Sequence, residues 1–160
     1  MSLHKLFKTD TGLEKKGVWI DYGPNEDMPA DPDGKHPSTR FLIARAGGSN
    51  NAYNQVLEKL AKPHKRMIQH GQLSNDLAKT IARDAFLAAC LLGWENVTNA
   101  AGEVLEFNKT NATALFDELP DLYSDLSEQA AQASIYREEL READLGNSGR
   151  SLSTDSSKDQ

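Results

Sequence analysis

Apolar residues first gather at Gly17 to Tyr22, GVWIDY, where Val18, Ile20 and Tyr22 share one side of an extended chain, and again in TRFLIARA from Thr39 to Ala46. Both read as strands. The stretch between them, GPNEDMPADPDGKHPS, holds Pro24, Pro29, Pro32 and Pro37 with Gly23 and Gly34, which the interior of neither helix nor strand tolerates. It predicts a long, mobile loop closing a β-hairpin.

Beyond Gly47-Gly48 the period lengthens. Tyr53, Val56, Leu57 and Leu60 recur at i, i+3, i+4 and i+7, the stripe of an amphipathic helix capped by Ser49 or Asn50. Pro63 has no N–H and predicts a kink or restart at PHKRMIQHG, which Gly71 closes. Ser74 or Asn75 then caps a central helix, amphipathic through Leu77, Ile81 and Ala85 and apolar all round from Ala85 to Leu92. Gly93 is read as the left-handed residue that ends this helix, and Trp94 as a ring folded back over its apolar end, its indole N–H bonded in the following loop. Asn99 to Gly102 form a turn, Asn108 or Thr110 caps a short helix, and Pro120 opens a final one. That helix places Leu122, Tyr123, Leu126, Ala130, Ala133, Arg137 and Leu140 along its stripe and carries a strongly acidic outer face.

The pattern is therefore α+β and mostly α-helical: an N-terminal β-hairpin, about four to five packed helices, and a tail. From Gly146 the Ser-rich end has Leu152 as its one large aliphatic residue, too little burial to offset the entropy of ordering. One domain over residues 1–145 and a disordered tail over 146–160 are expected, a division that suits a 160-residue chain.

Charge narrows the function. A net charge of -6 argues against a protein whose task is to neutralise phosphates. The basic run KPHKRMIQH, with Lys62, Lys65 and Arg66, is short and has no aromatic to stack a base, so a nucleic-acid adaptor ranks low. It suits a protein-facing surface, and its sign is opposite to that of REELREAD, so a homo-oligomer is one partner option. There is no run of about 18 apolar residues and no apolar signal segment, which predicts neither a membrane partner nor secretion.

Catalytic chemistry finds little to work with. His64 and His70 lie among Lys62, Lys65 and Arg66, whose charge opposes metal binding. The DPDG at Asp31 to Gly34 lacks the spaced ligands of a calcium loop and reads as a polar turn, and Gly47-Gly48 lacks the spacing of a nucleotide-binding loop. No enzyme, cofactor or metal site is expected. Cys90, the one cysteine, lies in the most apolar run and is expected to act as a small buried hydrophobe.

The second half, LLGWENVTNAAGEVLEFNKTNATALFDELPDLYSDLSEQAAQASIYREELREAD from Leu91 to Asp144, resembles the tail assembly chaperones of long-tailed bacteriophages. The shared features are Gly-Trp-Glu-Asn-Val, a turn, an aromatic, a short helix, a Leu-Pro-Asp-Leu step and a closing Arg-Glu-Glu helix. GVWIDYG, FLIARAGGSN and LEKLAKPHKRMI are similar to the family's opening elements, while the Pro-rich loop looks like an insertion. The resemblance implies a non-enzymatic protein of the host bacterial cytoplasm. It would bind the phage tape measure protein while tube subunits polymerise, and be absent from the finished virion. It also implies a longer form, made by ribosomal frameshifting, that recruits the tail tube protein. The expected partner surface comprises Leu122, Tyr123, Leu126, Tyr136 and Leu140 on the last helix with Lys62, Lys65 and Arg66, while Gly93, Trp94 and Cys90 are structural. The rival reading is a structural virion component, such as a head–tail connector or small capsid-associated protein.

Overall fold

The period-two segments pair as their patterns require. In a computed structural model, which describes residues 2–137, strand β1 (Val18–Pro24) runs antiparallel to β2 (Ser38–Ile43), with Ile20 opposite Phe41 and Val18 opposite Ile43. Residues paired across such a ladder share a face, so Ile20, Phe41 and Ile43 look into the core. On the other face the Arg40 guanidinium stacks 4.1 Å from the Trp19 ring and pairs with Glu95 at 2.6 Å. The connection of residues 25–37 is more hydrogen-bonded than its prolines predict. Asp31 accepts from the amides of Asp33 and Lys35, and the Asn25 amide donates to the Pro37 carbonyl.

A third strand, β3 (Leu91–Glu95), adds to the other side of β2, giving the order β1-β2-β3. This corrects the reading of Leu91 to Gly93 as helix and helix cap. The central helix (Asn75–Ala89) ends with Cys90 as its C-cap, and Gly93 is not among the residues of positive φ. Gly93 sits in the strand opposite Leu42. A run that is apolar on every side has no period to separate helix from strand, and pairing with β2 decides the matter. Leu91 pairs with Ile43 and Trp94 with Phe41, leaving Leu92 as the extra residue of a bulge. That extra residue lets two side chains three positions apart, Leu91 and Trp94, both face inward.

Two short helices precede the sheet, α1 (Leu3–Phe7) and α2 (Thr11–Lys16), and neither is visible as an apolar stripe. The reason is plain in their burial: α1 buries nothing, and α2 buries one residue, Glu14. The Glu14 carboxylate accepts from Thr9 Oγ1 at 2.8 Å, Arg45 at 2.7 Å, and both the hydroxyl and amide of Ser49. Gly48, at φ +59, lies so close that a Cβ there would run into the Glu14 carboxylate and the Arg45 guanidinium. Backbone bonds from Asp10 to Tyr136 and a bridge between Thr9 and Arg137 join this N-terminal segment to the last described residues.

Among the described residues, five α-helices follow β2: α3 (Ala52–Ala61), α4 (Lys65–Gln69), α5 (Asn75–Ala89), α6 (Lys109–Glu118) and α7 (Pro120–Ala131). Pro63 falls in a 3₁₀ turn, Lys62–His64, that forms the elbow between α3 and α4, as a missing N–H requires. Ser74 and Asn108 cap as expected, accepting from the Leu77 and Asn111 amides, whereas the N-cap of α3 is Asn51, with no side-chain cap bond, rather than Ser49 or Asn50. Ile81, Ala85, Phe86 and Ala89 of α5 are buried, and the helix packs on α3, α6 and β3. Phe86, Phe116 and Tyr123 stack with centroids 5.5 to 6.3 Å apart, joining α5, α6 and α7. The final helix is shorter than its stripe suggests. It stops at Ala131, and a 3₁₀ turn, Ala133–Tyr136, carries the chain back to the sheet, where the Tyr136 hydroxyl donates to the Ile43 carbonyl at 3.2 Å. Leu140 and the expected tail from Gly146 lie outside the described residues.

Candidate functional site

The chain after β3 turns back toward the β1–β2 connection, and one residue makes the junction. Asn96 is held at φ +58, its side-chain amide donates to the Ser38 carbonyl at 2.8 Å, and its own carbonyl accepts from Thr39 Oγ1 and the Asn25 side chain. Asn25 also donates to Thr98 Oγ1. Asn96→Ala is expected to cost about 1–3 kcal/mol, because the Ser38 carbonyl loses its donor and alanine resists the left-handed backbone. Asn96→Gly should recover the backbone part, and denaturant midpoints of the three proteins test this.

Pinned in this way, the residues following β1 form one wall of an open groove of about 510 Å³. Phe41 and Val97 line its base, and Leu115, Leu119 and Leu122 of the α6–α7 step form the opposite wall. Leu119 ends α6 and precedes Pro120 of α7, so its side chain stands on neither helix's buried face and remains 48% exposed. Glu26 and Asp27 stand at the rim. Across the groove the Tyr22 hydroxyl donates to Asp125 of α7. Burial and the adjacent Asp125 carboxylate push the Tyr22 phenol far above its ordinary value, so it remains a protonated donor at neutral pH. An apolar base and one apolar wall, facing a polar wall that carries two carboxylates, suit a helix with an apolar face flanked by basic residues.

The expected partner residues separate in three dimensions. Leu122 lines the groove, and Tyr123 is partly buried against Phe86 and Phe116. Leu126 and Tyr136 are fully buried and belong to the core, Leu126 on the inner face of α7 and Tyr136 on the 3₁₀ turn that returns to the sheet, where its hydroxyl donates to the Ile43 carbonyl. Lys62 and Lys65 line a second groove, between α3 and α4, and Arg66 is exposed beside it. Tyr22, Phe41, Leu115 and Leu119 were not anticipated. The Leu-Pro step at Leu119 was the available signal, since a large aliphatic residue between two helices lacks a place on either stripe.

Of the expected structural residues, Trp94 is buried, and its Nε1 donates to the Leu105 carbonyl at 2.9 Å in the following loop, as anticipated. Burial pushes the Cys90 thiol up to about 12, so the residue packs as a hydrophobe rather than presenting a thiolate. Among the described residues no helix is long and apolar enough to cross a membrane, and no group of three or more His, Cys, Asp or Glu is placed to hold a metal ion.

Residues 48–147, well over half of the chain, match the family model described as YdaY prophage protein. The match takes in α3 to α7 and β3 and leaves out β1 and β2. Comparison with curated proteins and with solved structures gives no match. The resemblance to phage proteins holds at the level of prophage origin, and the family description does not extend to tail assembly. A phage-derived chain with this sheet-and-helix core thus belongs to the YdaY prophage protein family.

Proposed function

We propose that this protein is a non-enzymatic assembly chaperone that binds the phage tape measure protein, keeps it soluble while the tail tube polymerises around it, and leaves before the particle is finished. The observation that carries the reading is the groove between the β1–β2 connection and the α6–α7 step, with Leu119 exposed on its wall and Glu26 and Asp27 at its edge. A long helical client needs many modest, reversible contacts, and an open groove with an apolar base and one apolar wall, taking one helix face at a time, supplies such a contact. A net charge of -6 keeps a crowded complex in solution. The prophage family and the resemblance of Leu91 to Asp144 to tail assembly chaperones support the same reading.

The test is co-expression with the largest helix-rich protein encoded beside this one. The large protein should remain soluble and co-purify with the wild-type chain, and should precipitate without it. The double variant Leu119→Asp/Leu122→Asp should retain at most about one-tenth of the complex, the loss expected on placing charge in an apolar contact. Its circular dichroism should be unchanged. A large protein whose solubility ignores this chain overturns the proposal, and recovery of the chain in purified particles favours the virion-component reading instead.

A further inference from the structure

Helix α3 gives part of its surface to the core and part to the elbow with α4. Ala52, Tyr53 and Val56 pack inward, while Gln55, Glu58 and Lys59 are exposed. With Ala61, Lys62, Lys65 and Ile68 they line a second groove, of about 650 Å³, which shares no residue with the groove assigned to the client. The 3₁₀ turn at Pro63 sets the angle between the two helices, so the groove is formed before anything enters it.

Charge sets this groove apart. Residues Lys59 to Arg66 hold four of the chain's 18 Lys and Arg and no Asp or Glu, although the chain as a whole carries -6. Among the described residues no ion pair engages Lys59, Lys62, Lys65 or Arg66. Glu58 is the one carboxylate on the lining. Between the lysines lies an apolar floor of Ala61 and Ile68, the latter 44% exposed. Cations gathered without counter-charges repel one another, and an anion placed among them is attracted by all of them.

We propose that this groove binds an acidic amphipathic helix of a second partner protein, its apolar stripe on Ala61 and Ile68 and its flanking carboxylates on Lys59, Lys62 and Lys65. A third helix fits where two helices meet at an angle, because its side-chain ridges settle between theirs at an interaxial distance of about 8–10 Å. The small side chain of Ala61 at the elbow permits that approach. Helix α3 has ten residues and is about 15 Å long, so the contact covers about three turns of the partner. Nucleic acid matches the lysines but not the rest of the lining, which has no aromatic ring to stack a base and an apolar floor that a phosphate backbone leaves uncovered. The client groove has the opposite sign, with Glu26 and Asp27 at its rim, so the two grooves select different helices. The proposal stands apart from the chaperone reading and does not rest on it.

The probe is a fluorescein-labelled synthetic peptide of about fourteen residues, stapled to hold it helical, with leucines on one stripe and glutamates on both flanks. Its control carries glutamine for every glutamate. Fluorescence anisotropy with the full chain should show the acidic peptide binding at least tenfold tighter than the control, the reverse of what repulsion by a chain of net charge -6 gives. The advantage should vanish in Lys59→Glu/Lys65→Glu, both exposed positions, and should fall in 1 M salt. It should persist in Leu119→Asp/Leu122→Asp, which removes the client groove. Equal binding of the two peptides, or an advantage indifferent to the lysine reversal, overturns the proposal. Binding of a duplex DNA probe that is lost in Lys59→Glu/Lys65→Glu, without binding of the acidic peptide, overturns it in favour of nucleic acid. Self-association of the chain alone, abolished by the same reversal, assigns the groove to a second copy and overturns it as well.

Discussion

Replacing Glu14 by alanine is expected to lower stability by about 3–5 kcal/mol, the usual cost of removing one partner from a buried, hydrogen-bonded ion pair. The carboxylate is 1% exposed and serves four donors, from Thr9, Arg45 and Ser49. Its removal leaves the Arg45 guanidinium, itself 18% exposed, without a counter-charge and unties α2 from the turn that leads into α3. The same site predicts a pH dependence. Burial raises the Glu14 carboxyl's pKa, but hydrogen bonds from Thr9, Arg45 and Ser49 outweigh it and hold the group below its ordinary value. A carboxyl whose value is depressed in the folded state contributes stability that is fully present above the unfolded value, about 4.3. That contribution is lost as the pH falls through the folded value. Urea midpoints from pH 7 to pH 3 should therefore fall more steeply for the wild type than for Glu14→Gln, with the gap between them closing at the acid end. A gap constant over that range would mean that Glu14 acts by packing rather than by charge.

The second large effect is expected at Trp94. Trp94→Ala should cost about 3–5 kcal/mol, since a buried aromatic is replaced by a cavity that its neighbours cannot fully close. The ring packs edge-on to Phe41 at 5.8 Å and to Phe107 at 5.1 Å, joining β3, β2 and the loop before α6. Trp94→Phe keeps most of that contact but leaves the Leu105 carbonyl without its donor, a loss of about 1–1.5 kcal/mol. For a domain of this size each kcal/mol moves the melting temperature by about 2–4 °C, so calorimetry should separate the two variants by several degrees. Equal shifts would show that the hydrogen bond, not the ring, holds this corner.

Both sites bear on the proposed groove from a distance. Trp94 and Phe41 support its base, and Glu14 holds the turn from which α3 departs toward the second groove. Substitutions there should alter stability first. Leu119 and Leu122, by contrast, should alter complex formation with little change in melting temperature, and that contrast is what distinguishes a partner surface from a core.

The order of elements could be read from the chain, and particular residues show why. Val18 and Ile20 announce β1 because a half-buried strand must alternate. Tyr53, Val56 and Leu60 announce α3 because a helix on a core must repeat near 3.6 residues. Ser74, Asn108, Pro63 and Pro120 mark breaks and starts through their own backbone chemistry, which no distant contact alters. Leu91 to Glu95 resisted the same treatment. The run is apolar on every side, and its assignment to a strand rests on hydrogen bonds to Arg40, Phe41, Leu42 and Ile43, some fifty residues earlier. Helix α2 resisted for the opposite reason, since its one buried side chain is a glutamate held mainly by Arg45 and Ser49, more than thirty residues away.

The groove was legible only in part. Leu122 belonged to a helical stripe and was expected on a partner surface, and it does line the groove. Leu126, from the same stripe, is core, and Tyr136, expected beside it, lies on a separate 3₁₀ turn and is core as well. What the sequence by itself determined is local: the strands of the hairpin, the helix starts and stops, the acidic balance and the likeness to phage proteins. Only the tertiary structure decided which apolar residues remain uncovered. Exposure is a property of what packs opposite a side chain, and the neighbours that bury Leu126 and leave Leu119 open are brought there by long-range pairing that no local period encodes.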